Sequence, residues 1–297
     1  MKIPQSLKKG DTIAIISPAK HIESEYILNA KVYWEKFDYN VLIGKYAEGQ
    51  NHYFSGTIQE RSEDLQAALN NDNVKAILCA RGGYGSLDLV DVVNWAGMLL
   101  TPKWLVGFSD ITVFHQKLNK LNIASLHATM PLNYAENTPE SLQSLRETLE
   151  GKSLTYDWSS PQFKKGINSG ILLGGNLAII HALIGTNDQP DYSGAILFIE
   201  EVGEYLYGID RMFYSLSKAG ILEKINGLVV GGMTNIKDTE PPFGLSLEEM
   251  ILKHFPYRKI PIAFDFPAGH IQDNRALILG KQTRFEVTEK GQCTFNQ

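Results

Sequence analysis

The first half of this chain alternates short apolar runs with amphipathic helical patterns, and that alternation constrains the fold more than any other feature. Thr12-Ile13-Ala14-Ile15-Ile16 is a near-continuous apolar run, as in a strand buried on both faces, and it stops at Ser17-Pro18. Tyr39–Ile43 reads as a second strand, closed by Gly44. Ile58 to Leu69 reads as a helix with Leu65, Ala68 and Leu69 on one face. Val74–Leu78 and Trp104–Gly107 read as a third and a fourth strand. Strands separated by helices predict a parallel sheet covered on both sides. Such sheets bind ligands at the carboxyl ends of their strands. Both Arg81-Gly82-Gly83-Tyr84-Gly85 and Ser109 fall there.

The second half has a different texture. Gly151 to Asn168 is polar and turn-rich, with Ser159-Ser160-Pro161 and Lys164-Lys165-Gly166, and reads as a linker. Beyond it lie short strand-like runs at Gly170–Leu173, Ala195–Glu200, Gly227–Val230 and Thr283–Val287, separated by Gly, Pro and Asn. With 297 residues, two domains are the default. The expectation is an N-terminal parallel-sheet α/β domain over 1–150, a linker over 151–168, and a smaller α+β domain rich in β structure over 169–297.

A net charge of −5 and the lack of a long basic run argue against a nucleic-acid partner, while leaving room for a local cationic pocket. Cys79 and Cys293 are the two cysteines, far apart, so a disulfide framework is not expected and a reducing compartment fits. Cys79 lies in an apolar run and reads as a buried small hydrophobe. The apolar run Ile13–Ile16 is too short for a signal-peptide core, and no stretch approaches the roughly 20 apolar residues of a membrane span. A cytoplasmic protein with no membrane partner is expected.

Gly107-Phe108-Ser109-Asp110 ends the fourth strand, and Ile111, Phe114, Leu118 and Leu121 then recur at helical spacing. A serine on such a turn is pushed out of the sheet edge, with backbone N–H groups beside it that can hold an oxyanion. An ordinary helix cap by Ser109 or Asp110 accounts for the same letters. The glycines of Arg81–Gly85 let the backbone approach a ligand, or else form a tight turn. The loop lacks both the Gly-Lys-Ser/Thr ending of a phosphate loop and the dinucleotide glycine spacing, which disfavours a nucleotide-binding enzyme.

Ile196-Leu197-Phe198-Ile199-Glu200-Glu201 ends an apolar strand with two acids. Alternation puts Glu200 on the face of Ile196 and Phe198, and Glu201 on the other. An acid there is suited to orienting a histidine, or is simply a solvated strand end. Among the seven histidines, His270 follows a Pro/Gly turn beyond a strand-like run, and His127 after Ile123–Leu126 is the competing base. His115 and His181 sit in helical patterns. No H-x-x-x-H pair or Cys/His cluster suggests a metal. Ser109, Glu200 and His270 thus run in an order from which a Ser–acid–His triad can be built, although the second glycine of G-x-S-x-G is missing.

Several motifs taken in order resemble the bacterial L,D-carboxypeptidases, or muramoyltetrapeptide carboxypeptidases, the serine peptidases that include the microcin C self-immunity peptidases. They are Ile15–Ala19, Ala80–Gly85, Gly107–Thr112, Leu173–Leu177, Phe198–Glu201 with Tyr207–Arg211, and Phe266–His270. The resemblance implies Ser109 as nucleophile, His270 as general base and then acid, and Glu200 as the residue that orients it. It implies oxyanion donors at the backbone N–H of Asp110 and of a loop glycine, taken as Gly83. It further implies a homodimer, a murein peptide substrate met in peptidoglycan recycling, and chemistry with neither metal nor organic cofactor. A terminal carboxylate suits an arginine fork, which makes Arg81 and Arg211 candidates; an ion pair of Arg211 with Asp210 or Glu204 is the other reading. His127-Ala128-Thr129-Met130 departs from the relatives' His-Gly-Pro-Met. A peptidyl-nucleotide substrate and a non-catalytic binding protein are the alternatives.

Overall fold

A computed structural model describes residues 1–297 and places fourteen strands in two sheets. The first half supplies β1 (Thr12–Ile16), β2 (Asn40–Ile43), β3 (Val74–Cys79), β4 (Trp104–Gly107) and β5 (Ser125–His127). The second supplies β6 (Thr155–Ser159), β7 (Phe163–Lys164), β8 (Gly166–Asn176), β9 (Ile196–Val202) and β10 (Gly227–Thr234). It closes with β11 (Ile262–Ala263), β12 (Leu277–Leu279), β13 (Gln282–Val287) and β14 (Gln292–Asn296).

The first sheet has the order β12-β5-β4-β3-β1-β2, and β1 to β5 are parallel within it. Helices Ser24–Glu35, Ile58–Asn70 and Thr112–Lys120 make the connections that parallel pairing requires. The second sheet has the order β6-β14-β13-β8-β9-β10-β11-β7, parallel from β8 to β11 and antiparallel toward both edges. The α/β class and the β-rich second half match the sequence reading.

Alternation along β1 sends Ile13 and Ile15 to one face and Ala14 and Ile16 to the other, each face into its own apolar cluster. The cluster holding Ile13 and Ile15 also contains Phe198, Phe266 and Phe285, so the two sheets share a core. Such burial of apolar surface is the main term holding the halves together.

The segment expected as a linker over 151–168 is instead β structure: β6, β7 and the start of β8. Tyr156 and Trp158 alternate with the exposed Thr155, Asp157 and Ser159, and Trp158 stacks on Phe285 with ring centroids 6.0 Å apart. The surrounding turn residues hid a period-2 pattern. A second departure is β12, which leaves the second half of the chain and pairs antiparallel with β5 in the first sheet.

Candidate active site

The carboxyl ends of β3, β4 and β9 and the segment after β11 converge on one cleft. After β4 the backbone turns sharply: Phe108 is extended at φ −150°, and Ser109 has φ +63°, in the left-handed region. A β-substituted residue is held there only when its surroundings impose it, and such strain clusters at functional sites. The helix Thr112–Lys120 follows after a single 3-10 turn. Neither Ser109 nor Asp110 caps it, since no side-chain cap bond is made at either element's start.

The Ser109 hydroxyl instead faces His270, with Oγ 3.1 Å from Nε2. His270 Nδ1 lies 2.5 Å from Glu200 Oε2. With the ring proton on Nδ1, the imidazole donates to Glu200 and accepts from Ser109. Glu200 is fully buried at the end of β9, and Phe108 packs edge-on against the His270 ring at 4.9 Å. Burial alone disfavours the imidazolium; the hydrogen bond and charge of Glu200, with the charge of Glu201, outweigh it and carry the His270 pKa above its usual value.

Strand alternation separates the two acids as expected. Glu201 points away from His270 and accepts the backbone N–H of Ala178 at 2.7 Å and of Val202 at 2.8 Å, with the Asn176 amide at 3.2 Å. Burial pushes its pKa up against these bonds.

The glycine loop meets the serine turn directly. A Cβ placed on Gly82 would lie 3.2 Å from Ser109 Cβ and 3.4 Å from the Asp110 nitrogen, so a side chain there would press on the serine turn. Gly83 follows with φ +104°. The backbone N–H groups of Gly83 and Asp110 donate to no group of the chain.

Not every candidate joins this cluster. The Arg81 guanidinium is half-buried and donates to the His21 carbonyl at 3.0 Å. Arg211, on the helix Leu206–Lys218, lies over the Tyr207 ring and makes no ion pair with Asp210 or Glu204. Asp210 is held by Lys253 and His254, each at 2.8 Å. His127, the competing base, is fully buried in β5 with no partner on either ring nitrogen, and burial lowers its pKa well below the usual value.

The sequence reading named Asp110 only as a cap or a backbone donor, and it missed the positioning roles of the Asp110 carboxylate, Arg61 and Asn274. Asp110 Oδ2 accepts the Ser86 N–H at 2.9 Å. Buried Arg61 donates through Nη1 to the carbonyls of Pro18 at 2.8 Å and Gly85 at 2.9 Å, and through Nη2 to Asp88 at 2.9 Å. Its signal was available: Arg61 shares the buried helix face of Leu65, Ala68 and Leu69. Asn274 Oδ1 accepts the Gly269 N–H at 2.8 Å and fixes the backbone just before His270; no local pattern marks it.

Known proteins resemble this chain over nearly its whole length. Residues 13–128 match the LD-carboxypeptidase N-terminal domain, and residues 169–285 the LD-carboxypeptidase C-terminal domain. A putative carboxypeptidase of Synechocystis sp. is 32% identical over 287 residues, covering 95% of this chain and 94% of that protein. The crystal structure of muramoyltetrapeptide carboxypeptidase from Oxalobacter formigenes superposes with a TM-score of 0.89 at 28% identity, over 96% of this chain and 98% of that one. The microcin C7 self immunity protein MccF, in complex with aspartyl sulfamoyl adenosine, shares the fold with a TM-score of 0.88 at 19% identity, over 100% of this chain and 99% of that one.

Proposed function

This chain belongs to the LD-carboxypeptidase family, and on that premise we propose that it is a serine carboxypeptidase that removes the terminal D-alanine from murein tetrapeptides. The observation that supports this reading best is the hydrogen-bonded series Ser109–His270–Glu200, set on a strained strand-to-helix turn.

Ser109 Oγ attacks the carbonyl carbon of the L–D peptide bond, and His270 Nε2 takes the hydroxyl proton. Glu200 keeps the ring proton on Nδ1 and stabilises the imidazolium. The N–H groups of Gly83 and Asp110 receive the oxyanion, because both are unpaired donors flanking the serine. When the tetrahedral intermediate collapses, His270 gives its proton to the departing amine of D-alanine. Water then enters, loses a proton to His270 and attacks the acyl-enzyme; the proton returns to Ser109 as the peptide leaves. Each proton has a named carrier, so the cycle calls on neither a metal nor an organic cofactor.

Arg81, close to the glycine loop, is suited to the terminal carboxylate of the substrate. No helix is long and apolar enough to cross a membrane. We place the enzyme in the cytoplasm, as a homodimer, acting on wall fragments that return for recycling. The N-terminal half of the chain carries Ser109, and the C-terminal half carries Glu200 and His270.

The test is D-alanine release from lysine-type and diaminopimelate-type murein tetrapeptides by the wild type and by Ser109→Ala. Release by the wild type alone is expected. Release by both proteins removes Ser109 as nucleophile. No release of D-alanine by either, with cleavage of a peptidyl-nucleotide by the wild type, moves the enzyme to that substrate class.

A further inference from the structure

The segment after β1 and the segment after β2 come together against the glycine loop. Lys20 donates its backbone N–H to the Gly82 carbonyl at 3.3 Å and forms an isolated β-bridge with Phe54. The His21 N–H donates to the Tyr53 carbonyl, and the Ser55 N–H to that of Ala19, each at 3.1 Å. Both segments then touch the loop through side chains. A Cβ on Gly83 would lie 3.0 Å from Lys20 Cβ and 3.1 Å from the Tyr53 hydroxyl oxygen, and one on Gly85 would lie 3.1 Å from the Phe54 ring. Arg81 fastens the same place from the loop, donating to the His21 carbonyl at 3.0 Å.

Lys20 and Tyr53 hold this position with their polar ends uncommitted. The half-buried Lys20 joins none of the salt bridges of the chain, and its ammonium lies over the Tyr53 ring, 4.9 Å from the centroid. Neither that ammonium nor the Tyr53 hydroxyl is engaged by a hydrogen bond, although the side chains of nearby Ser17, Ser55 and Arg81 all are. Gly82 meets Ser109, and the next residue, Gly83, meets Lys20 and Tyr53. Adjacent Cα atoms are about 3.8 Å apart. An unpaired cation and an unpaired hydroxyl therefore stand one residue step along the loop from the contact with the nucleophile, against the glycine whose N–H is assigned to the oxyanion.

Resting on the peptidase reading above, we infer that Lys20 Nζ and the Tyr53 hydroxyl bind the terminal carboxylate of the substrate and so confine cleavage to the last peptide bond. Substrate geometry sets the requirement. In a C-terminal residue the carboxylate carbon lies three bonds beyond the attacked carbonyl carbon, about 3–4 Å away. With the carbonyl oxygen on the Gly83 N–H, the group that recognises the carboxylate has to stand within side-chain reach of Gly83, where Lys20 and Tyr53 are. An ammonium with three donors and a phenolic O–H match the lone pairs of a carboxylate. A longer peptide would bring a neutral amide to the same place and forfeit the charge-assisted bond. The Tyr53 ring holds the ammonium near the loop before substrate arrives. Arg81, bonded to the His21 carbonyl, steadies the segment that presents Lys20.

Two murein tetrapeptides test it, one ending in D-alanine and the other in D-alaninamide, which lacks the charge. The preference of kcat/KM for the free acid is the quantity to read. Lys20→Met keeps the length of the stem and should cut that preference about thirtyfold, mostly through KM, as loss of one charge-assisted contact does. Lys20→Arg should restore most of it, and Tyr53→Phe should cut it about fivefold. An unchanged preference in Lys20→Met, or an equal fall on both peptides, overturns the subsite, because a residue that merely shapes the loop acts on the two alike. Calorimetry with Ser109→Ala protein and the same uncleaved peptides separates the two claims. If acid-selective binding is lost on adding Lys20→Met while the wild type releases no D-alanine, the peptidase reading falls and the subsite stands. Selectivity that survives in the double variant sinks the subsite whatever the turnover.

Discussion

Asp110 accepts the backbone N–H of Ser86 at 2.9 Å, and this one bond ties the turn that carries Ser109 to the end of the Arg81–Gly85 loop. The carboxylate is 2% exposed. Burial pushes its pKa up, while the Ser86 N–H and the charge of Arg61 act to hold it down. The two unpaired N–H groups beside Ser109 belong to the two segments that this bond joins.

Asp110→Ala leaves the Ser86 N–H buried without an acceptor, which costs about 1–3 kcal/mol by urea unfolding. With the loop and turn uncoupled, kcat for D-alanine release should fall about ten- to a hundredfold. Asp110→Asn keeps a carbonyl acceptor of the same shape and should keep most of both. Equal losses in the two variants would show that the charge, not the bond, is what matters.

Ser109 sits at φ +63°, where a Cβ is unfavourable and glycine is at ease. Ser109→Ala and Ser109→Gly both remove the hydroxyl, and both should be inert. Ser109→Gly should be the more stable of the two by about 1 kcal/mol, because it alone releases the backbone strain. Paired thermal unfolding curves decide this; superimposable curves would mean that the turn is unstrained.

The pH profile follows from Glu200. The pKa of His270 lies above the usual histidine value despite its burial, because Glu200 bonds to the ring and Glu201 adds its charge. Proton acceptance needs the neutral ring, so kcat/KM should rise with pH through that raised pKa. Glu200→Gln weakens the raising influence, and its acid limb should shift to lower pH as the maximum rate falls. The linkage to stability has the opposite sense. A pKa raised by folding stabilises the protein fully below the unfolded-state value and loses that contribution as pH rises through the folded-state value. The wild type minus Glu200→Gln difference in unfolding free energy should therefore shrink on going from acid to alkaline pH.

His127 offers a control on the identity of the base. It is fully buried between Phe108 and Phe198, at ring distances of 5.8 and 4.9 Å, and neither nitrogen has a partner. His127→Phe removes two unsatisfied polar atoms and keeps an aromatic ring, so it should be neutral or stabilising by about 1 kcal/mol. D-alanine release should persist, whereas His270→Phe should abolish it. Loss of release in a folded His127→Phe protein would transfer the base to the other histidine.

Much of the frame was legible in local sequence. The run Thr12–Ile16 is a strand end to end, and the apolar recurrence after Ser109 is a helix, because side-chain periods of 2 and 3.6 are imposed by the backbone itself. The same rule set Glu200 and Glu201 on opposite faces of β9. It failed at 151–168, where turn residues at high density masked the alternation of Tyr156 and Trp158.

What the sequence determined by itself is the order of elements, the turns that interrupt them, and the residue types waiting at their ends. Tertiary structure decided which of those ends meet. The bond from Ser109 to His270 spans 161 residues, and that from His270 to Glu200 spans 70. It also decided that β12 crosses back to pair with β5, that Asp110 holds the Ser86 N–H, and that Arg61 reaches the carbonyls beside the glycine loop. Periodicity and turn chemistry act over a few residues, so they can be read along the chain. Contacts between distant segments depend on how whole sheets pack over a shared core, and no short stretch of sequence carries that information.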